Sequence, residues 1–199
     1  MTEVAIIDSG GANIASVKYA LERLGATGTL TTNTESIRAA NRVLLPGVGA
    51  AREAMRRLRD AGLVDVIRGL EQPVLGICLG MQLLCDGSEE ENVECLGVIS
   101  GTAQKLTATT ESPVPNMGWC PTSIRSAHPV LNGIDDGSHF YYLHSYALPV
   151  SDITLATATH SEEFSAIIGH GNFVAAQFHP ERSAAAGARL LRNFVEFGK

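Results

Sequence analysis

The feature that most constrains the fold is a set of apolar runs that do not alternate. Val4-Ala5-Ile6-Ile7, Val43-Leu44-Leu45 and Val74-Leu75-Gly76-Ile77 are short and lack a polar residue at every second place. A strand reads this way when both of its faces are covered, as in a parallel sheet flanked by helices. Between the runs the spacing turns helical. Ile14, Val17, Leu21 and Leu24 recur three or four apart, and Gly25 is placed to stop that helix in a left-handed cap. Ala51, Ala54, Met55 and Leu58 share one face of a second helix, with Arg52, Arg56 and Arg59 on another. Such an arginine row reads as the solvated side of an amphipathic helix rather than a phosphate patch. A short helix is expected over Leu79–Leu84 and a last one over about 184–197, burying Gly187, Leu190, Leu191, Phe194 and Val195. The stretch from about 98 to 147 is more sheet-like, with Phe140-Tyr141-Tyr142-Leu143 its strongest strand. Ile167-Ile168 and the run from Phe173 to Phe178 read as a hairpin joined across 169–172. The expectation is α/β: a single three-layer domain over 1–199 with a mainly parallel central sheet and flanking helices.

Composition narrows the function classes. A chain of 199 residues can bury one substantial core. With 15 basic and 21 acidic residues its net charge is −6, which argues against a nucleic-acid binder that works by neutralising phosphates. No apolar run approaches the length of a membrane span, and the chain does not open like a signal peptide. The cysteines at 78, 85, 95 and 120 form no C-x-x-C pair and show no metal-site spacing. A cytoplasmic protein with reduced thiols and no metal is the expectation.

Gly76-Ile77-Cys78-Leu79-Gly80 sets a cysteine where a strand turns directly into a helix. This is the thiol form of the nucleophile elbow, whose strained backbone demands small residues two places to either side. The helix starting at Leu79 turns free N–H groups and a partial positive charge toward the sulfur. Thiolate, not thiol, is the nucleophile, so that field favours reaction.

A base stands at the end of the last strand, in His179-Pro180-Glu181. If the segment is extended, residues two apart point the same way, and Glu181 sits beside the imidazole. A carboxylate on one ring nitrogen fixes the tautomer and frees the other to take the thiol proton. Cys78, His179 and Glu181 thus compose a triad for acyl transfer. Such chemistry needs donors for a tetrahedral oxyanion. The Leu79 N–H is one candidate, and Pro46-Gly47-Val48-Gly49, whose glycines permit a peptide flip at Val48, could supply another.

Taken in order, five segments carry a family resemblance: Leu44 to Gly49, Leu75 to Leu84, Met117-Gly118-Trp119, His144-Ser145-Tyr146 and Gln177 to Ser183. Together they closely resemble the class I, triad-type glutamine amidotransferases. Within that group the match is to glutaminase subunits of histidine biosynthesis. The resemblance implies that Cys78 attacks the side-chain amide of glutamine, with His179 as base and then acid and Glu181 orienting it. It implies that Val48 and Leu79 form the oxyanion hole and that Gly49, Gln82, Ser145 and Tyr146 hold the substrate. No cofactor is implied. Ammonia would pass to a separate cyclase subunit with a (β/α)8 barrel, making a heterodimer, and Asn13, Met117, Trp119 and Arg182 would lie near that interface. The alternative is a glutaminase of another ammonia-using pathway or a stand-alone cysteine hydrolase of the same fold. The chain departs from the usual pattern twice. Asn116 and Cys120 stand where the family more often has His and Asn, and Asp8-Ser9-Gly10-Gly11-Ala12-Asn13 replaces Asp-Tyr-Gly-x-Gly-Asn. Cys85, Cys95 and Cys120 are expected to be bystanders, and Ser88-Glu89-Glu90-Glu91 a solvated acidic loop.

Overall fold

The non-alternating runs become neighbouring strands in a computed structural model that describes residues 2–10 and 14–196. The first half of the chain builds β1 (Thr2–Ile7), α1 (Ile14–Arg23), β2 (Ala26–Thr31), α2 (Thr34–Ala39), β3 (Arg42–Gly47) and α3 (Ala51–Asp60). Next come α4 (Val64–Arg68), β4 (Val74–Cys78), α5 (Leu79–Leu84), β5 (Cys85–Ser88), β6 (Val93–Glu94) and β7 (Ile99–Lys105). The rest comprises β8 (Asn116–Ile124), β9 (Ser138–His144), β10 (Tyr146–Ala147), β11 (Thr154–Thr159), β12 (Glu163–His170), β13 (Phe173–Ala176) and α6 (Ala184–Glu196).

Among the described residues, nine strands form one sheet in the order β2-β1-β3-β4-β13-β12-β11-β8-β9. The pairings from β2 across to β13 are parallel. From β13 outward to β9 they are antiparallel, beginning with the expected hairpin, in which Phe173 faces His170. A smaller sheet, β10-β7-β5-β6, lies beside the first. Strands β2 and β11 have no apolar run to announce them. β2 (Ala-Thr-Gly-Thr-Leu-Thr) sits at the edge and is half exposed, and β11 packs small residues such as Ala156 and Ala158.

The runs lack alternation because each face of the sheet has its own core. Ile6, Leu44, Leu75 and Ile77 pack on one side with Val17, Leu21, Leu190, Leu191 and Phe194 from α1 and α6. Ala5, Ile7, Val43, Leu45 and Val74 pack on the other with Met55, Leu58, Val66, Ile67 and Met81 from α3, α4 and α5. Helix, sheet and helix make the three layers. Gly25 closes α1 at φ 73°, the left-handed cap read from the sequence. The arginines of α3 are engaged with neighbours on the surface: Arg56 with Glu53 and Asp60, Arg57 with Glu53, Arg52 with Glu91, and Arg59 with the Glu94 carbonyl.

Parallel strands deliver their carboxyl ends to one edge of the sheet, where an α/β fold collects its ligands. Here β3, β4 and β13 are adjacent, so the segments that follow Gly47, Cys78 and Ala176 converge.

Candidate active site

The strand-to-helix junction is as abrupt as the motif demands. Cys78 ends β4 and is the cap of α5, with φ 55° and ψ −112°, a left-handed φ that a side chain rarely adopts. Its flanking glycines are there for lack of room. A Cβ on Gly80 would lie 1.7 Å from the Leu45 carbonyl oxygen, and one on Gly76 would lie 2.9 Å from that of Gly80. Gly47 is the register partner of Cys78, and its own Cβ would come within 3.0 Å of the Leu79 side chain. The end of β3 is therefore packed directly on the elbow. Val48 and Gly49 continue from it along the cleft wall, with Gly49 at φ 90°. Ser9, at the end of β1, pins this turn by donating its hydroxyl to the Pro46 carbonyl at 2.7 Å.

His179 and Glu181 meet, by a different local geometry from the one expected. The segment is not extended. Pro180–Arg182 form a single 3-10 turn that folds Glu181 back under the ring. The His179 Nδ1–Glu181 Oε1 distance is 2.9 Å, with both side chains buried. Glu181 Oε2 is buried with no hydrogen-bond partner among the described residues. Proline sets the turn, and Ser183 anchors it, donating to the His179 carbonyl at 2.7 Å while accepting from the Tyr141 N–H at 2.9 Å. The His179 N–H in turn donates to the Tyr141 carbonyl, which ties the whole segment to β9. With Nδ1 on the carboxylate, Nε2 is the nitrogen that faces the Cys78 thiol. Desolvation pulls the His179 pKa down, but hydrogen bonds to Cys78 and Glu181 outweigh it and hold the imidazole up at about 10.

The thiol and the ring open into a cleft of about 260 Å³ lined by Val48, Gly49, Leu79, Gln82, Ser145 and Tyr146 among others. Every residue expected to contact substrate or oxyanion is therefore in one wall or another. Gln82 is buried, donating through Nε2 to the Tyr146 carbonyl at 3.0 Å and to Gln177 Oε1 at 3.2 Å.

Three residues of the site were not singled out from the sequence. Gln177, which the motif merely contains, places Nε2 at 3.9 Å from Cys78 Sγ. His144 lies buried in the cleft wall, with Nδ1 at 2.9 Å from the Tyr146 carbonyl oxygen. Glu90 also reaches the wall, where its Oε2 accepts the Ala51 N–H at the start of α3. The reading of 88–91 as a solvated loop holds for Glu89 and Glu91, which are exposed, and is corrected for Ser88 and Glu90. Ser88 is buried in β5, and Glu90 is committed to the cleft. A carboxylate in the middle of three consecutive glutamates gives no sign that it will fold over a site built from other strands.

A family model described as glutamine amidotransferase class-I matches residues 5–197. The chain belongs to this family. Imidazole glycerol phosphate synthase subunit HisH of Vibrio cholerae serotype O1 is 47% identical over 199 residues, covering 97% of this chain and 98% of that protein. The HisH subunit of Xylella fastidiosa (strain Temecula1) is 48% identical over 196 residues, covering 98% of each. Among solved structures, a putative GMP synthase component from Thermoplasma acidophilum superposes with a TM-score of 0.76 at 20% identity, over 98% of this chain and 93% of that one. PurLQS from Thermotoga maritima gives 0.76 at 16% identity, over 100% and 99%. At these identities the structures establish the amidotransferase fold.

Beside the amidotransferase cleft lies an apolar face. Met117 and Trp119 point outward from β8, 68% and 51% exposed, opposite Leu143 and Tyr141 of β9. Trp119 meets Tyr141 edge-on at 6.0 Å, and the Arg182 guanidinium lies 4.3 Å from the centre of the Tyr141 ring. The three described residues expected at an interface thus form one continuous surface. Asn13 lies outside the described residues. Burial pushes the other thiols up, Cys85 to about 12 and Cys95 to about 11, with Cys120 raised as well, so they stay protonated. Among the described residues no helix is long and apolar enough to cross a membrane.

Proposed function

We propose that Cys78, His179 and Glu181 are the catalytic triad of a glutaminase. As a member of the HisH branch, the chain is the glutaminase subunit of imidazole glycerol phosphate synthase. The observation that carries the triad is the meeting of a strained cysteine with a carboxylate-bound imidazole at the carboxyl ends of adjacent strands.

In this reading the Cys78 thiolate attacks the side-chain carbonyl carbon of glutamine. The oxyanion that forms is held by the N–H groups of Leu79 and Val48. Imidazolium at His179 gives its proton to the departing nitrogen, ammonia leaves, and a thioester remains. His179 then takes a proton from water, which attacks the thioester and releases glutamate and the thiolate. Glu181 keeps the proton on Nδ1 throughout and stabilises the charged ring. Gly49, Gln82, Ser145 and Tyr146 hold the substrate, and Glu90 offers a carboxylate for its ammonium group. Ammonia passes to a cyclase subunit with a (β/α)8 barrel, which docks on the Met117, Trp119 and Arg182 face. Four free thiols suit a cytoplasmic site of action.

The test is Cys78→Ala in complex with the cyclase. Glutamine-dependent synthesis is expected to vanish while synthesis from added ammonium persists. Glutamate release that survives the substitution would remove Cys78 as the nucleophile, and loss of the ammonium reaction would overturn the division of labour.

A further inference from the structure

Asn116 and Cys120, the two departures on β8, are neighbours in space and begin a hydrogen-bonded chain that ends at the substrate wall. Cys120 Sγ lies 3.6 Å from Asn116 Oδ1. Asn116 Nδ2 lies 3.1 Å from His144 Nε2, and His144 Nδ1 lies 2.9 Å from the Tyr146 carbonyl oxygen. The direction of every bond can be worked out. A carbonyl oxygen only accepts, so His144 Nδ1 must carry a proton. Desolvation pushes the His144 pKa down to about 4, so the ring is neutral at physiological pH and Nε2 has no proton. Nε2 therefore accepts, which requires Asn116 to present its NH2 to the ring and leaves its oxygen for the Cys120 S–H.

The far end of the chain is a clamp. The Tyr146 carbonyl accepts from His144 Nδ1 and also from Gln82 Nε2 at 3.0 Å. Tyr146 stands opposite Lys105 while the hydrogen bond on that side runs from the Leu106 N–H to the Ser145 carbonyl. The Tyr146 N–H and C=O consequently both point away from β7, toward Gln82 and the cleft. Whatever holds this carbonyl also sets where the N–H of the same residue is aimed.

We propose that Asn116 is a positioning residue for glutamine: by fixing His144 in one tautomer and one orientation, it holds the Tyr146 backbone in its substrate-binding position. The proposal rests on the glutaminase reading above. Asn116 is only 2% exposed and is not part of the cleft lining, which its side-chain amide reaches through the hydrogen bond to His144. Its influence is on binding rather than on chemistry. The next residue, Met117, faces outward on the docking surface, so a partner bearing on β8 presses on the first link of the chain.

The test compares the native chain, Asn116→Leu and Asn116→His, each in complex with the cyclase, by the KM and kcat of glutamate release. Asn116→Leu deletes the donor to Nε2 and frees the ring. KM for glutamine is expected to rise about tenfold, as for one lost buried hydrogen bond, with kcat and the ammonium-dependent rate changing less than about threefold. Asn116→His supplies a ring N–H in place of the amide, at a position where the family more often has histidine, and is expected to restore KM to within about threefold of the native value. Nitrogen-15 NMR of the native chain should show His144 protonated at Nδ1 and accepting at Nε2. The idea is overturned by the opposite tautomer, by an unchanged KM in Asn116→Leu, or by a defect that Asn116→His does not relieve. If Asn116→Leu fails to assemble, the native tautomer and the KM of Asn116→His decide. Glutamate release that persists in Cys78→Ala would instead refute the underlying glutaminase reading.

Discussion

His179 and His144 both line the cleft, and burial works on them in the same direction, yet one ends charged and the other neutral. Desolvation lowers both. His179 overcomes it through Cys78 and Glu181 and reaches about 10, while His144, facing a carbonyl and an amide, falls to about 4. The consequences for stability have opposite signs. His179 has a folded pKa above its ordinary 6.5, so its contribution is full below that value and is lost as pH rises toward 10. His144 has a folded pKa below 6.5, so its contribution is present above that value and is lost as pH falls through 4. Urea midpoints measured across pH should therefore fall on both sides. Cys78→Ala removes one partner that holds the His179 proton, so the alkaline decline should begin at lower pH while the acid side stays put. An unmoved alkaline limb would mean that Cys78 does not help to hold that proton.

At the scale of the elements, the site depends on how closely β3 approaches the elbow. Gly80→Ala would drive a methyl group to 1.7 Å from the Leu45 carbonyl oxygen, against backbone that cannot yield. A loss of about 3 kcal/mol or more is expected, read as a lowered thermal midpoint. Gly47→Ala meets the Leu79 Cβ at 3.0 Å and the Gly80 backbone nitrogen at 3.2 Å, a milder clash that displaces the elbow by a few tenths of an ångström. That shift moves the residue whose N–H is assigned to the oxyanion. We therefore expect a fall in kcat of about tenfold or more, with a smaller drop in the thermal midpoint than Gly80→Ala produces. The elbow was legible in the sequence because its demands are local: an apolar run, a cysteine, and glycine two places to each side. The His-Pro-Glu pair was also legible, though its 3-10 turn was not, since proline is compatible with extended and turning backbone alike. Gln177, His144 and Glu90 were beyond reach. Their roles depend on residues from other strands, and nothing near them in sequence marks which cleft they will enter. β2 and β11 escaped for a related reason, as an edge strand and a strand of small residues bury too little to make a run.

For the molecule as a whole, the Val48–Gly49 segment assigned above to the oxyanion is an open stretch of an otherwise packed site. Val48 is 37% exposed, and nothing lies within 4 Å of where a Cβ on Gly49 would be. The peptide between them has room to turn. Glutamate release by the isolated chain is accordingly expected to be slow and to rise when the cyclase and its ligand bind, as measured on the same preparation with and without the partner. Equal rates would dispose of gating at Val48. The sheet order also has a temporal meaning. Gln177, against the Cys78 sulfur, follows it by 99 positions, and β13 is the strand that lies between β4 and the antiparallel half. On the ribosome, β4 and its cysteine emerge long before β13, and until then one edge of β4 has no partner. A nascent chain at that stage carries the proposed nucleophile without its proposed base or the Gln177 side chain that abuts its sulfur. Under the proposed triad, β13 and the His179 segment must be translated before glutamine can be cleaved, so a chain that stops short of them is expected to spend no glutamine and release no ammonia.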